Sequence, residues 1–252
     1  MNELDRMIEI LSAERGEKPP VLSESEKFRC FRALVNVRPP LPIGAEFLRL
    51  QDSYLKRRAE ERGVVRVEEF EYRDRIALWR GDITQLNADA IVNACNSALL
   101  GCFQPLHDCI DNAIHTNAGV QVRLDCNALM QGKREPNGQV KVTSAYNLPS
   151  RYIFHTVGPI VRGGVSEENR RDLANCYRSC LNRAKEMNLS SLAFCCISTG
   201  VFGYPQKEAC SLAVSVVKRW LRENPCALRI IFNVFLERDE AFYRQELSNE
   251  QS

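Results

Sequence analysis

The run Gly101-Cys102-Phe103-Gln104-Pro105-Leu106-His107-Asp108-Cys109 places two cysteines and a histidine within eight residues, with four and one residues between them. Two thiolates and an imidazole are donors that Zn²⁺ prefers, and the expectation is one zinc per chain on Cys102, His107 and Cys109. No fourth ligand lies inside the run. Three protein ligands with an open fourth position describe a catalytic zinc better than a structural one. His115 and Cys126, further along, are available to close the sphere. The competing reading is that buried cysteines act as small hydrophobes, and the eleven cysteines of the chain raise the odds of chance proximity.

Three other loops carry polar chemistry. Gly81-Asp82-Ile83-Thr84 follows a short apolar run. A carboxylate at a strand end can accept from an exocyclic amine, or it can simply cap a turn. Ile91-Val92-Asn93-Ala94-Cys95-Asn96 ends in two asparagines three residues apart. Their amides offer donors and acceptors to sugar hydroxyls, although asparagine is also a common turn residue. Ser198-Thr199-Gly200-Val201-Phe202-Gly203 precedes a helical stretch. Its glycines let backbone N–H groups approach a ligand, and a helix N-terminus favours anions, so a diphosphate is the natural guest. No Gly-Lys-Ser/Thr follows, which excludes a Walker loop.

These loops need a scaffold. From about Arg75 short apolar runs alternate with amphipathic stretches. The expected strands are Ile76 to Trp79, Ala90 to Asn93, Gln139 to Thr143, Tyr152 to Val157, Leu192 to Ile197 and Leu228 to Phe235. The expected helices are Cys109 to Met130, Glu167 to Met187, Lys207 to Leu221 and Glu240 to Leu247. Such alternation predicts an α/β fold: a mixed, largely parallel sheet with helices on both faces and ligand loops beyond the carboxyl ends of its strands.

Residues 1–74 read instead as a small helical segment and linker, with the α/β domain over 75–252. Leu4, Met7, Ile8 and Leu11 share one helix face. Ser23 and Glu26 have capping-box spacing ahead of Phe28, Phe31, Leu34 and Val35, and Pro39, Pro40 and Pro42 stop that helix. A third helix is expected from about Gly44 to Arg62, with Phe47, Leu50 and Tyr54 inward and Gly63 as its cap.

A net charge of only +2 gives no strong pull toward nucleic acid or a membrane surface. No apolar run approaches the roughly 20 residues that cross a bilayer. Met1 to Arg15 is charged throughout, so a secretory signal is not expected. An odd, scattered set of cysteines makes a poor disulfide framework and suits a reducing cytoplasm.

Taken together, Leu78 to Phe235 resembles the macrodomain family, which binds ADP-ribose. The runs that carry the likeness, in family order, are Gly81 to Thr84, Asp89 to Asn96, Asp111-Asn112-Ala113-Ile114-His115, His155-Thr156-Val157-Gly158-Pro159 and Ser198 to Pro205. Cys95 stands where the family commonly has alanine. The larger departure is the Cys102 to Cys109 insertion, in place of a polyglycine loop. That insertion, with Arg38-Pro39-Pro40 and Glu46-Phe47 ahead of it, is similar to the zinc-containing microbial subclass with a helical extension.

The resemblance implies that Asp82 and Ile83 hold adenine and that Phe235 packs nearby. It puts Ser198, Thr199, Gly200, Val201, Phe202 and Gly203 around the diphosphate and distal ribose. Asn93 and Asn96 would sit beside that ribose, and Asp111 would orient a water or a ribose hydroxyl; these three are the expected catalytic group. The implied activity is hydrolysis of ADP-ribose from mono-ADP-ribosylated proteins at carboxylate linkages, with neither nucleic acid nor membrane as partner. Two rivals stay open: a reader of ADP-ribose with a structural zinc, and a deacetylase of O-acetyl-ADP-ribose. His115 and His155 are expected in supporting positions.

Overall fold

The computed structural model describes residues 2–248. Three helices come first: α1 (Glu3–Glu14), α2 (Glu24–Val37) and α3 (Ala45–Glu61). The expected face of α1 is buried, and the Ser23 backbone N–H donates to the Glu26 carboxylate at 2.9 Å to open α2. In α3 the inward face is Phe47, Gln51 and Leu55, while Leu50 and Tyr54 are only half-buried. The apolar pattern misses this face because one of its residues is a glutamine with a polar task. Leu4, Met7, Ile8, Leu11, Phe31, Val35, Phe47 and Leu55 form their own cluster, completed by Val120 from the α/β part.

The sheet has six strands: β1 (Ile76–Arg80), β2 (Ala90–Ala94), β3 (Val140–Ser144), β4 (Tyr152–Thr156), β5 (Ser191–Phe194) and β6 (Arg229–Val234). Their order is β1-β6-β5-β2-β4-β3, parallel throughout except for the antiparallel edge strand β3. Ile91, Val92, Leu192, Phe194, Ile230, Ile231 and Phe232 are buried in continuous runs, as strands covered on both faces require. The covering helices are α4 (Ile110–Ala118), α5 (Val120–Met130), α6 (Glu167–Glu186), α7 (Gln206–Glu223) and α8 (Glu237–Ser248). None of the described helices is long and apolar enough to cross a membrane.

Two expectations about elements need correction. The single helix from Cys109 to Met130 is two, broken at Gly119, whose φ is +101°. There the Gln51 side chain intrudes: its Oε1 accepts from the Val120 N–H at 2.9 Å, and a Cβ on Gly119 would stand 2.6 Å from its Nε2. A helix through this point would leave Gln51 no room. The strand expected to Ile197 ends at Phe194, because the chain curls at Cys196, whose carbonyl accepts from Thr199 Oγ1 at 3.0 Å.

Candidate functional site

Cys102, His107 and Cys109 converge after β2. One potential ligand atom from each lies within 4.8 Å of the others. Cys109 is the N-cap of α4, with Sγ accepting from the Asn112 backbone N–H at 3.4 Å, and Asn112 Nδ2 donates to Cys102 Sγ at 3.5 Å. The loop winds through left-handed conformations at Leu99, Phe103 and Leu106, which hold strain wherever a side chain is present. His107 Nδ1 is buried without a partner among the described residues. Two thiols and an imidazole whose Nδ1 is unpartnered fit a zinc ion. Burial raises the Cys109 thiol above its ordinary range; an adjacent cation would reverse that balance. Cys126 is elsewhere, 3.7 Å from His155 Nε2, and His115 is not among the converging ligands.

Beside the loop lies a buried polar group. Asn93 Nδ2 donates to Asp111 Oδ1 at 2.8 Å and faces His155 Nδ1 at 3.2 Å. Asn93 Oδ1 has no donor among the described residues. Burial lifts the Asp111 carboxyl to about 6, with the Asn93 hydrogen bond and the Arg123 charge pulling the other way. His115 Nε2 is 3.4 Å from Asp111 Oδ1, but burial drives its pKa well down, with the charges of Arg123 and His155 adding to this. The contact is therefore between a neutral imidazole and a carboxyl group, not an ion pair. Asn96 differs from Asn93: its Nδ2 donates to the Gly101 carbonyl at 2.8 Å and its Oδ1 accepts from Ala98 N–H at 2.9 Å. Both ends of its amide brace the loop that leads to Cys102.

At the other end, Asp82 Oδ1 accepts from the Thr84 N–H at 2.9 Å and the Thr84 hydroxyl at 2.7 Å, while Oδ2 pairs with Arg62 at the end of α3. The turn-capping role is thus present in fact. Ile83 is buried in the sheet core and does not present its side chain to solvent. Phe235, just beyond β6, is 73% exposed. Ser198 is buried with an unpartnered hydroxyl, while Gly200, Val201 and Gly203 stand open to solvent. Thr199 and Phe202 are half-buried. The loop is latched by Tyr204 N–H to the Ser198 carbonyl at 3.0 Å and Val161 N–H to the Phe202 carbonyl at 2.8 Å. Helix α7 begins directly after it, with its N-terminal amides available to an anion.

Sequence reasoning missed the residues that join this site to the helical segment. Arg32 Nη2 donates to the His107 carbonyl at 2.8 Å, and Asn36 Oδ1 accepts from Leu106 N–H at 3.0 Å. Arg62 touches Asp82 and also Asn117 Oδ1 at 3.0 Å. Arg123, buried on α5, donates to the carbonyls of Val35 (2.7 Å), Asn36 (3.1 Å) and Arg38, and its guanidinium lies 4.7 Å from the Phe103 ring centroid. An arginine among many on a helix carries no local mark of such a partner.

The Macro domain family profile matches residues 92–213. A protein-ADP-ribose hydrolase of Treponema medium is 48% identical over 232 residues, covering 89% of this chain and 89% of its own length. Its counterpart in Staphylococcus aureus (strain MRSA252) is 44% identical, covering 98% of this chain and 96% of its own length. Among solved structures, the Oceanobacillus iheyensis macrodomain with ADP has a TM-score of 0.62 at 40% identity, covering 68% of this chain and 88% of that one. The Trypanosoma brucei macrodomain in complex with ADP has a TM-score of 0.64 at 30% identity, covering 98% and 97%.

Proposed function

This chain belongs to the macrodomain family, among the protein-ADP-ribose hydrolases, and on that premise we propose that it frees ADP-ribose from carboxylate side chains of modified proteins with one zinc held by Cys102, His107 and Cys109. The observation that carries the metal part is the convergence of those three donors within 4.8 Å, on a loop adjoining the buried Asn93–Asp111 pair. When bound, zinc supplies Lewis-acid polarisation at the distal ribose or the scissile ester.

The chain's own residues do the rest. The latched loop from Ser198 to Gly203 and the start of α7 receive the diphosphate through backbone N–H groups. Phe235 offers a ring face to adenine, and Asp82 an acceptor to its amine, in a carboxylate already oriented by Arg62 and Thr84. Asn93 Oδ1, buried and without a donor, is the acceptor that a ribose hydroxyl would satisfy. Asp111 sits one hydrogen bond behind it and can orient a water or hydroxyl. The odd, scattered set of eleven cysteines supports a cytoplasmic location.

The test is release of ADP-ribose from carboxylate-linked protein by wild type and Cys102→Ala, with zinc measured by elemental analysis. One zinc per wild-type chain is expected. In the variant, turnover should fall by about 10²-fold or more while ADP-ribose affinity stays within about fivefold, because only interactions strengthened in the transition state affect the chemical step. Turnover and affinity falling together would mark a structural zinc, and a zinc-loaded wild type that releases no ADP-ribose would leave only a reader. Turnover confined to free O-acetyl-ADP-ribose would move the substrate from protein to metabolite.

A further inference from the structure

We propose that α2 sets the geometry of the metal loop, with Arg32 as a positioning residue that acts on the thiols through Asn112. The inference rests on the zinc reading above. Arginine carries donors only, so the Asn112 side chain must turn its oxygen toward the guanidinium. That oxygen lies 3.1 Å from Arg32 Nε and 3.0 Å from Nη2. The amide nitrogen is thereby sent to the opposite side, where it donates to Cys102 Sγ at 3.5 Å and to the Gln104 carbonyl at 3.0 Å. The same Nη2 donates to the backbone carbonyl of His107.

One guanidinium thus fixes the main chain at one metal ligand and, through an oriented amide, the sulfur of another. Asn112 adds its backbone N–H to Cys109 Sγ, so both sulfurs are referred to one residue of α4 and the His107 main chain to the arginine that orients it. One turn further along α2, Asn36 holds Leu106 and also donates to Thr116 Oγ1 at 2.9 Å. Arg32 also lies 3.6 Å from the Asp108 carboxylate, but that side chain is 96% exposed and the pair contributes little. An arginine is required because a lysine cannot span both oxygens with a rigid fork. N–H groups directed at sulfur stabilise thiolates and preorganise them for a cation, and loss of such outer partners costs about 10–100-fold in metal affinity.

The experiment measures zinc affinity by competition with a chromophoric chelator. It uses full-length wild type, Arg32→Met, Asn112→Leu, the double variant and Arg32→Lys. Each of the first two single variants should bind zinc about 10–100-fold more weakly than wild type. The double variant should lose less than the product of the two, because one residue acts through the other. Arg32→Lys should fall between Arg32→Met and wild type. Thermal transitions of the zinc-free proteins identify a variant that fails to fold, in which case Arg32→Lys carries the comparison. Arg32→Met within twofold of wild type, losses that multiply, or Arg32→Lys equal to wild type would each overturn the proposal. A wild type that takes up no zinc overturns the metal reading and this inference with it; zinc-loaded wild type with unmoved variants overturns only the inference.

Discussion

Asn93 and His155 are cross-strand partners in β2 and β4, and the Asn93 amide nitrogen lies 3.2 Å from His155 Nδ1. That nitrogen already gives one hydrogen to Asp111, so the second goes to His155, whose Nδ1 must accept. The ring is neutral, since burial takes its pKa down to about 3. Its proton therefore sits on Nε2, facing Thr143 Oγ1 at 2.9 Å. The Asp111 carboxylate thus fixes which way the Asn93 amide points, the His155 tautomer follows, and Oδ1 is left as the free end.

Replacing Asn93 with alanine should cut ADP-ribose release by roughly 10–100-fold, equivalent to about 1–3 kcal/mol for a hydrogen bond in a charged network. Initial rates at limiting and saturating substrate would separate binding from turnover. A variant within twofold of wild type under both conditions would remove Asn93 from the mechanism.

His155 also predicts acid sensitivity. Its folded pKa is near 3 against an ordinary 6.5. Between those values the unfolded chain binds the proton and the folded chain does not, so stability falls as pH drops from about 6.5 toward 3. At pH 5 His155 alone should cost about 2 kcal/mol. Urea denaturation at pH 7 and pH 5 should show this loss in wild type and a smaller one in His155→Gln. Equal losses in the two proteins would place the acid sensitivity elsewhere, with His115 next in line.

Gly158 follows β4 where two loops touch. A Cβ there would stand 2.0 Å from Ser198 Oγ and 2.8 Å from Ile197 Cγ2. Gly158→Ala must therefore displace the Ser198 hydroxyl and the Ile197 side chain at the start of that loop. We expect ADP-ribose affinity to fall at least about tenfold, at a stability cost of about 1–3 kcal/mol typical of overpacking. Calorimetry with a parallel thermal melt checks both; unchanged affinity would mean that the loop does not hold the ligand in this shape.

What was legible in the sequence is what local pattern encodes. The strands and helices announce themselves by period, and the Cys102, His107 and Cys109 cluster by its closeness within one loop. Asp82 and Ser198 stand out as polar residues of loops that follow strands, whereas Phe235 is singled out only by the family resemblance. The illegible part is long-range and polar. Arg32 and Asn112 are eighty positions apart, and nothing in the helix around either residue depends on the other. Gln51 is likewise absent from the inward face expected for α3, yet it meets the chain at Gly119 where the helix breaks. Asn96 was paired with Asn93 by spacing, although a two-residue turn consumes its oxygen and the Gly101 carbonyl its nitrogen.

Arg123 closes the end of α2 by donating to carbonyls at positions 35, 36 and 38, and Val120 completes the apolar cluster of the first three helices. On the ribosome, the residues of α2 emerge some ninety positions before the guanidinium that caps them. These helices precede the α/β part in synthesis, yet the last turn of α2 and one residue of their shared cluster wait for a piece of chain made much later.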